Sequence, residues 1–195
     1  MVRHFTVLCK TLLSSLADER IFQDATDGFR HYTERCPRCG ATGKLTPYGD
    51  YSRWLVFFAK GAFFSQRIRP LRFLCSSCGS THALLPDILI PYSPYSLSFK
   101  LTVLIAYFER ETSVADVCMR FGIAVSTLYV WKERLLEHKE LMLGVLASRR
   151  EPALAFLREL LGSADLSARL RCFFNRYAFS FLQNRPVTAP RSFPP

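Results

Sequence analysis

The stretch FLCSSCG, residues 73–79, sets two cysteines two residues apart and closes the second with a glycine. The same pattern stands earlier in the chain as CPRCG, residues 36–40. In C-x-x-C-G both thiolates can face one ion, and the glycine lets the backbone turn so that its N–H groups approach the sulfurs. Two such pairs supply four thiolates, the number that fills the tetrahedral shell of Zn²⁺. Cys36, Cys39, Cys75 and Cys78 are therefore the expected ligands of a structural zinc. Four sulfurs leave no open position for water, so the metal is expected to hold the fold and do no chemistry.

Other uses of cysteine fit less well. The chain has seven cysteines, an odd number, and no convincing secretory signal, which opposes a disulfide framework. A thioredoxin-like redox pair needs a single C-x-x-C in a βαβ context. His82, four residues after Cys78, is expected to pack or hydrogen-bond rather than ligate. Cys9, Cys118 and Cys172 stand among apolar neighbours and read as small core residues.

Between the pairs lie 35 residues, longer than the usual loop of this motif. Residues 50–59 and 62–74 are rich in aromatic and branched side chains and read as strands, with Lys60-Gly61 as the turn. Alternation places Arg67 and Arg69 on one face and Ile68 on the other. The expectation is a zinc ribbon: two knuckles joined by an elongated hairpin with a basic face.

PDILIPYSPYS, 86–96, has three prolines and reads as a linker. An apolar helix is expected after it, ending near Arg110. Then comes SVADVCMRFGIAVSTLYVWKERL. Ser113 and Asp116 form a capping box, and Val114, Val117 and Phe121 give the apolar face of a short helix. Gly122 suits a sharp turn, Ile123 a core plug, and Leu128, Trp131 and Leu135 the inner stripe of a second helix. This is the helix-turn-helix pattern, although an ordinary helical hairpin would share it. Its outward surface would present Ser126, Thr127 and Tyr129 to a groove, with Lys132 and Arg134 near phosphates. None of these makes the bidentate arginine–guanine or asparagine–adenine contact, so modest sequence specificity is expected.

Leu154, Leu157 and Leu161 suggest one C-terminal helix, and Leu166, Leu170, Phe173, Phe174, Tyr177 and Phe181 another. Phe5, Leu8, Leu12 and Leu16 suggest an amphipathic helix at the N-terminus rather than a signal peptide. The expected organisation is α+β. A helical segment (1–30) precedes a four-cysteine zinc ribbon (31–90) of small antiparallel β structure. A helix-turn-helix domain (96–140), C-terminal helices (150–184) and a disordered tail (185–195) follow.

The chain of 195 residues has a formal net charge of +10. A surplus of that size suggests a polyanionic partner. Residues 35–72 carry eight Lys/Arg against Asp50 alone, and residues 141–195 eight Arg against three acids, whereas 113–140 is neutral. Arg53, Arg67, Arg69 and Arg72 are the expected phosphate contacts of the ribbon. No apolar run is long enough to span a bilayer, and a cytoplasmic location is expected.

CPRCG, the basic hairpin, RFLCSSCGSTHALLPDILIPYSPYS and then the helix-turn-helix follow an order that resembles the N-terminal region of bacterial insertion-sequence transposases. It is closer still to short bacterial transposase-like proteins of uncharacterised function with the same zinc ribbon and helix-turn-helix. The resemblance covers about residues 30–140. It implies zinc on the four cysteines and a helix from about Ser126 facing double-stranded DNA. In such motifs a Ser or Thr commonly caps the recognition helix and an Arg or Lys precedes the Trp; here Ala124 and Val130 stand there. Transposases cut with a separate acidic domain. The 55 residues after Glu140 hold only Glu151, Glu159 and Asp165, so no catalysis is expected. The expected function is DNA binding, transposase-like or accessory to transposition, with a catalytic subunit or a second copy as a further partner through the C-terminal helices. The alternatives are a protein–protein adaptor or transcriptional regulator, and an RNA binder.

Overall fold

The computed structural model describes residues 3–7, 29–59, 62–86 and 89–184. Among the described residues, six strands precede six helices: β1 (Arg3–Val7), β2 (Leu45–Asp50), β3 (Arg53–Ala59), β4 (Ala62–Ile68), β5 (Leu71–Cys75), β6 (Thr81–Pro86), α1 (Leu97–Glu109), α2 (Val114–Phe121), α3 (Val125–Leu143), α4 (Val145–Arg150), α5 (Ala153–Gly162) and α6 (Leu166–Tyr177). The order is α+β, small sheets followed by helices. The chain divides into two compact units, Met1–Phe99 and Lys100–Pro195, with the boundary inside α1.

In the first unit the expected hairpin exists as two antiparallel pairs in succession. β3 pairs with β4 from Arg53↔Ile68 to Ala59↔Ala62, and β2 pairs with β5 from Leu45↔Cys75 to Asp50↔Leu71. The second arm is thus not one strand over 62–74. It breaks at Arg69-Pro70, where the Tyr51 N–H still reaches the Pro70 carbonyl at 3.3 Å. Proline has no N–H to give a ladder, so the sheet splits there. β2 itself carries a bulge between Pro47 and Asp50, with Gly49 at φ 89°.

β6 holds the unit together. Ala83 and Leu85 pack with Leu55, Phe57, Ile68 and Leu89 in one cluster. Leu84 packs with Cys36, Leu45, Phe73 and Cys75 in another. A strand buried on both faces reads as an unbroken apolar run, as Ala83-Leu84-Leu85 of β6 does. The larger sheet has the order β1-β6-β5-β2. Its edge strand β1 runs parallel to β6, Arg3 opposite His82 and Val7 opposite Pro86. This corrects the N-terminal helical segment at residues 3–7 and the purely antiparallel description of the ribbon. Leu8, Cys9, Leu12 and Leu16 lie outside the described residues, as does the tail from Arg185.

In the second unit the local signals act as read. The Ser113 hydroxyl accepts from the Asp116 N–H, and the Asp116 carboxylate accepts from the Ser113 N–H, opening α2. Gly122 ends it at φ 59° and ψ 36°, a left-handed conformation that costs a Cβ-bearing residue about 1 kcal/mol or more. After a three-residue turn, α3 leaves at 101° to α2. Val117, Cys118, Phe121, Ile123, Leu128, Trp131 and Leu135 are all buried. No single helix among the described residues is long and apolar enough to cross a membrane.

The C-terminal part departs from expectation. No sequence signal announces the short helix α4. α5 buries Phe156, Leu157 and Leu160, a face rotated from the Leu154/Leu157/Leu161 stripe. α6 stops at Tyr177, with Ala178 at φ 60°, instead of running to Phe181. Phe181 and Leu182 are buried beyond the helix. There the Leu182 N–H donates to His138 Nδ1 at 2.9 Å, and its carbonyl accepts from Lys100 Nζ at 3.2 Å. Two buried polar side chains fix this return, which no local periodicity records. Cys118 is a core residue as expected, but Cys172 is exposed on α6.

Candidate metal centre and nucleic-acid surfaces

The two knuckles share one backbone design. In the first, the Cys36 N–H meets the Ala41 carbonyl and the Gly40 N–H the Cys36 carbonyl, both at 2.9 Å. In the second, the Cys75 N–H meets the Ser80 carbonyl and the Gly79 N–H the Cys75 carbonyl, again at 2.9 Å. Gly40 and Gly79 sit at φ 74° and 65°, which explains the glycine after each pair. The β2–β5 ladder, with the Ser76 N–H on the Lys44 carbonyl at 2.9 Å, carries one knuckle to the other.

The four Sγ atoms of Cys36, Cys39, Cys75 and Cys78 all lie within 4.8 Å of one another. Cys36 is 3.7 Å from Cys78 and Cys39 is 3.8 Å from Cys75. Zn–S bonds of about 2.3 Å set a tetrahedral S···S edge of about 3.8 Å. The geometry and the all-sulfur donor set therefore fit zinc, and such a group would supply cross-linking rather than reactivity. The surroundings support thiolates unevenly. Burial pushes the Cys36 thiol up to about 12. Hydrogen bonds from Ser80, its side chain first and its backbone second, draw Cys78 down to about 6. A divalent cation is what would hold all four deprotonated together.

His82 is fully buried with Nε2 3.3 Å from Cys36 Sγ, a hydrogen-bond partner of a candidate ligand. The Arg38 N–H lies 3.4 Å from the same sulfur, and the Arg38 guanidinium donates to the Ser80 hydroxyl at 2.6 Å. Arg38 and Ser80 thus tie the knuckles together, a role that sequence spacing does not reveal.

The expected DNA-contacting residues fare differently. Ser126 and Tyr129 are exposed on the first turns of α3, with Thr127 half-buried beside them. Lys132 lies over the Tyr129 ring at 5.6 Å. Arg134 is half-buried and paired with Glu137 at 2.6 Å, so its charge is already matched. In the ribbon, Arg53 is a strut: its guanidinium donates to the Ile90 carbonyl at 3.2 Å and to that of Ser93. Arg69 pairs with Asp50 at 2.9 Å. Arg67 and Arg72 have no carboxylate partner among the described residues. They lie instead against the rings of Trp54 and Tyr48, at 5.2 and 5.4 Å. The basic face is therefore smaller and more aromatic than the arginine count implied.

Residues 36–131 match a family described as a domain of unknown function, DUF6431. That span begins at the first cysteine of the cluster and ends at Trp131, so it takes in both knuckles, the hairpin, α2, the turn and the first part of α3. No curated protein and no solved structure matches the chain.

Proposed function

We propose that the chain is a zinc-containing DNA-binding protein, transposase-like or accessory to transposition, whose own activity is binding. The observation that carries this reading is the α2–turn–α3 unit. Two helices at 101° joined by three residues suit a reader that lays its second helix in a major groove. Ala124 at the start of α3 makes no side-chain cap bond, so the first N–H groups of that helix are open to a phosphate oxygen. Ser126, Thr127 and Tyr129 would face the groove, with Lys132 over the Tyr129 ring as a cation beside them. A zinc on Cys36, Cys39, Cys75 and Cys78 would fix the ribbon, and the net charge of +10 would supply most of the affinity.

The test is fluorescence anisotropy of a random-sequence duplex titrated with the zinc-loaded chain over a series of salt concentrations. Binding that weakens steeply with salt, and that Ser126→Glu with Tyr129→Glu abolishes, is the expected result. No duplex binding at low salt would overturn the reading.

A further inference from the structure

We propose that Trp54, beside Arg67, and Tyr48, beside Arg72, are two separate stacking sites for the unpaired bases of single-stranded DNA. The choice of DNA rests on the duplex-binding reading above; the sites themselves rest on the hairpin. Trp54 is 53% exposed and Tyr48 54% exposed. On β3, Leu55 and Phe57 turn into the core, so alternation turns Trp54 outward, directly opposite Arg67 on β4. Ser65, two residues before Arg67, continues that exposed side. Tyr48 lies at the bulge of β2, where Arg72 covers it.

The chemistry of these pairs separates two anionic partners. A duplex phosphate needs cations and N–H or O–H donors, and the face of an exposed indole adds nothing to that contact. An unpaired base needs a flat aromatic face, and its phosphate needs a guanidinium beside that face. Bases inside a duplex have both faces covered by their neighbours, so these sites would select the unpaired strand. Arg67 and Arg72, without carboxylate partners among the described residues, complement the strand's charge; Arg69, held by Asp50, does not. The surrounding segment 35–72, with eight Lys/Arg against one acid, gives the same sign.

The chain has two tryptophans, and the other, Trp131, is buried at 3% exposure, so emission changes report on Trp54. The zinc-loaded full chain is titrated with a short oligothymidylate, an oligouridylate and a blunt duplex. Saturable quenching by oligothymidylate is expected, with the duplex bound but not quenching. Trp54→Ala should weaken the oligothymidylate about tenfold and leave the duplex unchanged, while Trp54→Tyr, which keeps a stacking ring, should stay within roughly threefold of the parent. Zinc content and far-UV spectra of both variants establish that they fold. Binding without quenching, or equal affinity in Trp54→Ala, would overturn the proposal. Tighter quenching by oligouridylate would overturn the assignment to DNA. Quenching by oligothymidylate with no duplex binding would support the Trp54 site and overturn the duplex reading instead.

Discussion

His82 is buried beside a sulfur, and the contact that bears on the metal is the one with Cys36. With Nε2 3.3 Å from Cys36 Sγ, an N–H there offsets thiolate charge and orients the ligand. His82→Phe keeps the ring volume and removes the donor; zinc affinity, read by competition with a chromophoric chelator, should fall about 10- to 100-fold. Lys100 is the opposite case, a cation that burial disfavours. It is 2% exposed, bonded to the Leu182 carbonyl and set 5.1 Å from the Trp131 ring centroid. Burial lowers it from 10.5 to about 8. Between those two values the unfolded chain holds a proton that the folded chain has released, so stability rises with pH through that window. Below about pH 8 the cost of burying the charge is present in full. Relative to Lys100→Met, the parent should therefore gain stability from pH 8 to 10.5, by up to about 3 kcal/mol, in urea denaturation. Parallel curves for the two proteins would contradict this.

Among the elements, α2 and its turn are the most legible because every signal there is local. Ser113, Asp116 and Gly122 act on backbone groups within four residues of themselves. The contrast between two glycines tests this. A Cβ at Gly122 meets nothing within 4 Å, so Gly122→Ala should cost only the left-handed backbone, about 1–2 kcal/mol in thermal or chemical denaturation. Gly162, also in open space but without a positive φ, should accept Ala at no cost or gain up to about 1 kcal/mol. The elements that escape a reading of the sequence depend on distant partners. β2 is disguised by Pro47 and Gly49, and it forms because β5 supplies the ladder. β1 carries Phe5, which fits a helical stripe equally well, and pairs with a strand far along the chain. The end of α6 is set by Lys100 and His138 acting on Leu182, contacts that span 82 and 44 residues. At the site, the four-cysteine cluster is legible from C-x-x-C-G alone, while the engagement of Arg53, Arg69 and Arg134 is not. Sequence gives an arginine its charge, but only the folded neighbours say whether its donors are already engaged, as by the Ile90 carbonyl, or its charge already matched, as by Asp50 and Glu137.

Over the whole molecule, the cysteine cluster belongs to the core of one unit and not to that of the other. Met1–Phe99 has small clusters that include the Cys36 and Cys75 side chains, whereas Lys100–Pro195 buries its own set of leucines and phenylalanines. Chelation should therefore remove the strand signal while leaving most of the helical far-UV signal and the emission of the buried Trp131. Cooperative loss of both signals would contradict that division. The central claim is the four-sulfur clasp itself, since the hairpin that presents Trp54 and Arg67 is tied off by it. X-ray absorption at the zinc edge of the purified chain measures it most directly. The account predicts one zinc per chain with four sulfur neighbours at about 2.3 Å; nitrogen or oxygen in that shell, or a metal-free protein with Cys36, Cys39, Cys75 and Cys78 intact, would contradict it.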